Sequence, residues 1–337
     1  MGPRSVGGLI PDRKPVMSDL VNPSFEYSAS GLPQRTPHFG SLHHVTAIAS
    51  DSAANLHFYS QILGLRLVKK TVNFDDPGTY HLYYGDYTGS PGSLITFFIW
   101  PGTRSHIQHH SIIKAVGCRV PAGTLEWWRK HLNTHEVTLT HATGTPERLE
   151  FFDPDGLPLY LTEDETSPSG TAAGSTREGI IGLHGIEWAG RRPDKTRNIF
   201  IDQLGYQSIT TSAKETLISA DGRSVVMFRT ADELNRLRFA PGQIHHAAFR
   251  AADRKEQADI AESLRARGID VTPVRPRKYF DSVYFMEPSG GICEIATDGP
   301  GMSIDEPLQS LGTHLCLPDD LESQRAEIAA GLPPLTG

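Results

Sequence analysis

The 337-residue chain has little cysteine, no long apolar run and no large excess of charge of either sign. Its three cysteines, Cys118, Cys293 and Cys316, are odd in number and form no C-x-x-C pair. That argues against a disulfide framework and a thiolate zinc site, and it fits a reducing, cytoplasmic location. The most apolar stretch, Leu94 to Trp100, is interrupted by Thr96 and falls well short of the roughly 18 residues a membrane helix needs. It reads as a buried strand. A net charge of -7, from 32 basic and 39 acidic residues, gives no attraction for phosphate backbones or anionic lipid, so neither nucleic acid nor membrane is an expected partner. The N-terminal region also lacks the basic, apolar, small-residue order of a secretory signal.

What is present is repetition. Residues 1–40 hold six prolines and five glycines without regular apolar spacing and read as an extended or disordered arm. Residues 165–179, rich in Ser, Thr, Gly and Ala, read as a linker between 41–164 and 180–298, and a tail, 299–337, follows. Leu42-His43-His44-Val45, Leu183-His184-Gly185-Ile186 and Ile244-His245-His246-Ala247 line up. Each opens a strand-like run with a short helical pattern after it. Asp51 suits a helix cap ahead of Leu56, Tyr59, Ile62 and Leu63; Pro193 suits a first helical turn; Asp253 opens a helix through Ile260 and Leu264. A fourth, more divergent copy runs from Ala115, with Leu125, Trp128 and Leu132 turned inward. Its Phe152-Asp153-Pro154-Asp155-Gly156 matches Met286-Glu287-Pro288-Ser289-Gly290, and both read as turns between antiparallel strands.

The unit is strand, helix and three strands, about 60 residues long, present four times. One unit leaves an apolar sheet face uncovered, so units must pair, and a pair encloses a cup. This order resembles the vicinal oxygen chelate, or glyoxalase-like, superfamily. The expected fold is α+β, with four βαβββ modules pairing into two glyoxalase-like cupped barrels.

The two His-His pairs occupy equivalent points of the first and last modules. Strand neighbours face opposite sides, so one of each pair points straight into the cup, and module alignment selects His44 and His246. Glu294, within the apolar run Gly290 to Ala296, supplies a third ligand; a bare carboxylate there would cost several kcal/mol, and a metal removes that objection. Two imidazoles and one carboxylate form the facial set that leaves positions open on ferrous iron. Fe(II) on such a set keeps a charge of about +1, which a phenolate neutralises. Mn(II), Zn(II) or Ni(II) would fit similar ligands in a recombinant preparation. The third module has Gly185 at the place of the second His, and the second has Tyr160 at the place of Glu294. One iron is therefore expected, between modules one and four.

A narrower resemblance rests on Leu42 to Thr46, Lys69 to Pro77, Tyr80 to Asp86, Leu125 to Trp128, Ile244 to His246, Tyr279 to Phe285, Gly290 to Asp298 and the tail Leu311 to Leu335. These segments are similar to the ring-cleaving hydroquinone dioxygenases, the family that includes the chlorohydroquinone 1,2-dioxygenases. The resemblance implies that His44, His246 and Glu294 bind Fe(II), and that His43, Thr46, His245, Arg277 and Tyr284 line the pocket. It points to His245 and Tyr284 as an acid/base pair and Arg277 as their electrostatic partner. The implied partners are a small aromatic substrate and O2, in a chain with scope to form a homo-oligomer. A catechol extradiol dioxygenase, a glyoxalase-type isomerase or lyase, and a sequestering protein are the rival readings. Cys293 and Trp127-Trp128 are expected to serve packing.

Overall fold

The computed structural model describes residues 39–102, 112–140, 148–166, 178–190, 192–211, 214–230 and 239–335. The proposed N-terminal arm and the 165–179 linker lie mostly outside them. Four βαβββ modules follow one another. The first comprises β1 (Leu42–Ala49), α1 (Ser52–Leu56), β2 (Arg66–Asn73), β3 (Asp76–Gly85) and β4 (Leu94–Ile99). The second comprises β5 (Ile113–Pro121), α2 (Leu125–Thr134), β6 (Leu139–Thr140), β7 (Arg148–Phe152) and β8 (Pro158–Asp164). The third comprises β9 (Gly182–Gly190), α3 (Pro193–Leu204), β10 (Gln207–Thr211), β11 (Lys214–Ile218) and β12 (Val225–Thr230). The fourth comprises β13 (Ile244–Ala251), α4 (Arg254–Ala266), β14 (Arg275–Pro276), β15 (Phe280–Met286) and β16 (Ile292–Pro300). A last helix, α5 (Arg325–Gly331), lies in the tail. Among the described residues no helix is long and apolar enough to cross a membrane.

Local chemistry sets the helix ends. The Asp51 carboxylate accepts from the backbone N–H groups of Ala53 and Ala54, both at 2.9 Å, and Asp253 accepts from that of Glu256 at 2.8 Å. Pro193 occupies the first turn of α3, and Gly205, in the left-handed region at φ 71, ends it. The first helix departs from the regular pattern, because α1 widens into a π-helical turn over His57–Ile62 that brings Phe58 inward beside Tyr59 and Ile62. On α2, Trp128 enters the core as expected. Trp127 does not: it lies on the outer side, stacked on His131.

Modules pair outermost with outermost. One curled eight-stranded sheet runs β14-β15-β16-β13-β1-β4-β3-β2, and the other β10-β11-β12-β9-β5-β8-β7-β6. The first and fourth modules meet along the antiparallel β1 and β13 seam, the second and third along β5 and β9. The first seam carries two bulges. Leu42 pairs with Phe249 and His44 with Ala248, so His43 is an extra residue; Thr46 pairs with His246 and Ala47 with Ile244, so His245 is another. A bulge re-aims its side chain, which explains why strict alternation, the expectation for a plain strand, does not separate the members of either His pair.

On the other side of the sheet α4 is tied down by Gln257, whose amide donates to the carbonyls of Asp281 and Ile295 at 2.7 and 2.8 Å. This fixes β15 against β16 next to Glu294. The tail folds back over the first module, where the Cys316 N–H bonds the Lys70 carbonyl at 2.8 Å. Met302 and Leu311 pack with Val68, Tyr83, Leu94, Tyr279 and Phe280 as a cluster of their own. Lys69 is fully buried, and its ammonium sits 2.6 Å from both Asp305 Oδ1 and Glu306 Oε2.

Candidate metal centre

His44 on β1, His246 on β13 and Glu294 on β16 converge across the seam, with one donor atom of each within 4.8 Å of the others. Glu294 Oε2 lies 2.9 Å from His246 Nε2 and 3.5 Å from His44 Nε2. It is buried and has no well-aligned hydrogen-bond donor. The other oxygen, Oε1, accepts the hydroxyl of Ser282. Burial opposes charge on Glu294, and its carboxyl is held well below its usual range only while positive charge faces it from the imidazole side.

His44 and His246 each bond their neighbour in sequence, and for His44 the neighbour fixes the tautomer. His43 Nδ1 lies 3.0 Å from His44 Nδ1, and His245 Nδ1 lies 2.8 Å from His246 Nδ1. Two nitrogens that bond each other share one proton. His43 Nε2 lies 3.2 Å from the Thr297 carbonyl, which only accepts, so His43 carries its proton on Nε2 and its Nδ1 accepts from His44. His44 Nε2 is left as a bare lone pair facing a carboxylate, an arrangement that is repulsive without a cation between them. Burial pushes both His43 and His245 well below their ordinary values. Both are neutral at pH 7. The donor set therefore fits one divalent ion, with Nε2 of each histidine and Oε2 of Glu294 as the atoms that would hold it.

The remaining residues expected at the site gather here too. Tyr284, opposite Glu294 on β15, has its ring 5.9 Å from that of His246. Its hydroxyl accepts from Arg277 Nε at 3.2 Å, while Arg277 Nη2 donates to Asp75 Oδ2 at 2.8 Å. Arg277 thus reaches the cup through Tyr284, its own charge already balanced by Asp75. Burial pushes the Tyr284 phenol up, with the Glu294 charge adding to the effect, so it keeps its proton. Thr46 bonds Thr96 at 2.8 Å. The sequence did not single out Ser282, His81, Thr96, Phe98, Phe280 or Phe239. Phe280 packs on both His43 and His44, and His245 lies between Phe98 and Phe239. The one available signal was alternation in Tyr80-His81-Leu82-Tyr83, which puts His81 and Tyr83 on one face.

The other sheet shows what the same scaffold does without these donors. Tyr160 lies over Gly117, where any side chain would collide with its ring, and its hydroxyl is 3.0 Å from His184 Nδ1. Arg148 pairs with Glu187 at 2.7 Å and covers the Tyr160 ring. Among the described residues one other group, Asp305, Glu306 and Cys316, has metal-like spacing, but the Lys69 ammonium stands in it.

Residues 41–156 match the Glyoxalase/Bleomycin resistance protein/Dioxygenase superfamily. The chain is 37% identical over 298 residues to the ring-cleaving dioxygenase MhqO of Bacillus subtilis, covering 87% of this chain and 96% of that protein. It is 29% identical over 316 residues to a chlorohydroquinone/hydroquinone 1,2-dioxygenase of Sphingobium indicum, covering 88% and 96%. A dioxygenase crystal structure from Bacillus subtilis superposes with a TM-score of 0.81 at 36% identity, over 89% of this chain and 99% of that one. Identity of this order over nearly the full length of the relatives means common descent, and the chain belongs to the ring-cleaving dioxygenase family of oxidoreductases within that superfamily.

Proposed function

We propose that the chain is a ferrous-iron-dependent dioxygenase that opens the ring of hydroquinones beside a hydroxyl and inserts both atoms of O2. The observation that carries this reading is the buried Glu294 Oε2, left without an aligned donor where it faces the Nε2 atoms of His44 and His246. Iron(II) on these three donors would keep open positions for a phenolate oxygen and for O2, and would supply the electrons that O2 needs.

The chain's own residues do the rest. His245 shares its Nδ1 with His246 and presents an Nε2 that has no hydrogen-bond partner among the described residues, so it can exchange a proton with the substrate. Tyr284 accepts from Arg277 and, kept protonated by burial, holds its own proton beside Glu294 and Ser282. Phe98, Phe239 and Phe280 offer apolar faces for an aromatic ring and limit water beside the donors. The hydroquinone substrate is taken from the name of the Sphingobium relative.

Oxygen uptake after anaerobic Fe(II) loading, measured with hydroquinone, catechol and a thiol hemiacetal in turn, tests the proposal. One O2 consumed per hydroquinone, with a ring-opened carboxylate product, is the expected result. Uptake with catechol alone, or hemiacetal isomerisation without uptake, overturns it.

A further inference from the structure

The pairing registers of the site-bearing sheet repeat about its seam. In the fourth module Ala248 pairs with Glu294 and Glu294 with Tyr284; in the first, Thr46 pairs with Thr96 and Thr96 with Tyr83. Ser282 lies opposite Ala296, as His81 lies opposite Phe98. Thr96 thus stands at the counterpart of Glu294, Tyr83 at that of Tyr284 and His81 at that of Ser282. Where a second carboxylate would complete the ring of donors, the first module places a chain of neutral groups. Tyr83 OH is 3.0 Å from His81 Nδ1, His81 Nε2 is 2.9 Å from Thr96 Oγ1, and Thr96 Oγ1 is 2.8 Å from Thr46 Oγ1.

This chain has a direction. The Tyr83 phenol is buried, and among the described residues His81 Nδ1 is its one hydrogen-bond partner, so its proton goes there. His81, kept neutral by burial, then carries its own proton on Nε2 and donates to Thr96. Thr96 passes its proton to Thr46 Oγ1. The Thr46 proton is left without an acceptor among the described residues, on the strand position opposite His246. We propose that Tyr83, His81 and Thr96 are positioning residues that hold the Thr46 hydroxyl as a hydrogen-bond donor toward the phenolate oxygen of the substrate. The reversed chain would turn a lone pair toward that anion, whereas each bond in the inferred direction polarises the next. The phenolate rests on the function proposed above; the direction of the chain does not.

Two measurements test the inference. In 15N-histidine NMR of the full-length protein, with and without Zn(II), His81 should be a single neutral tautomer protonated on Nε2, its signals assigned by their loss in His81→Gln. In Tyr83→Phe it should become a mixture. A proton on Nδ1 in the unsubstituted protein, or no change in Tyr83→Phe, overturns the direction. For anaerobic hydroquinone binding to the Fe(II)-loaded protein, Thr96→Val should weaken affinity about 10-fold, and Thr96→Ser should restore it. Undiminished affinity in Thr96→Val overturns the donor role. Failure of the unsubstituted protein to bind hydroquinone at all would refute the substrate and the donor role with it, and the NMR result would still decide the direction of the chain.

Discussion

Ser282 donates its hydroxyl to Oε1 of Glu294, and that bond leaves Oε2 turned toward the imidazoles of His44 and His246. The hydroxyl orients the carboxylate and takes up one of its acceptor sites, which is what a neighbour of a metal ligand contributes. Ser282→Ala should therefore weaken metal retention by roughly 10 to 100-fold, whereas Glu294→Ala should abolish it. Metal content after dialysis against a graded chelator measures both. Equal retention by Ser282→Ala and the unsubstituted protein would remove Ser282 from the account.

His245 bonds His246 through Nδ1 but contributes no atom to the three-donor cluster. His245→Ala should keep most of the iron and slow turnover by roughly 10 to 100-fold. Single-turnover oxygen consumption alongside iron analysis separates the two effects. Loss of iron in proportion to loss of rate would mean that His245 serves only to orient His246.

Much of this arrangement could be read from local signals. Asp51 and Asp253 cap helices because a side-chain oxygen there meets exposed N–H groups, and Gly205 ends one because it tolerates a positive φ. His44, His246 and Glu294 emerged from comparing repeats with each other. The bulges at His43 and His245 were not legible, since they belong to a pairing between strands about 200 residues apart in sequence. Ser282 and Thr96 were hidden for another reason. A strand serine or threonine has no local pattern that distinguishes solvent from a buried partner, and only register reveals which it meets.

Lys69 shows the same dependence on distant sequence, because its partners lie in the tail. Its ammonium is buried between Asp305 and Glu306 and faces the Tyr279 ring at 4.8 Å. Lys69→Met keeps the bulk of the side chain but leaves Glu306, the more deeply buried carboxylate, without its ammonium, while Asp305 keeps Lys278 at 3.5 Å. Breaking one side of a buried pair typically costs about 3 to 5 kcal/mol. The urea midpoint should fall accordingly, and proteolysis should cut first within the tail. A midpoint within error of the unsubstituted protein would show that the tail is not held by this contact.

The turn at Asp153 makes stability depend on pH. Burial pushes the Asp153 carboxyl up to about 7, against the opposing pull of the Leu157 N–H. Its Oδ1 accepts from the N–H groups of Asp155 and Leu157 at 2.9 and 2.8 Å, and Oδ2 accepts from Tyr59 OH at 3.2 Å. Between 3.8, its ordinary value, and about 7 the folded chain holds a proton that the unfolded chain has released. Stability from this group is thus fully present below 3.8 and is lost as pH rises through about 7. Asp153→Asn keeps an acceptor for both backbone N–H groups and can donate to the Tyr59 oxygen, but it carries no charge at any pH. Its melting temperature should exceed that of the unsubstituted protein on the alkaline side of this window, and the difference should shrink toward the acid side. Melting curves that run parallel across the window would show that Asp153 is already charged in the folded protein.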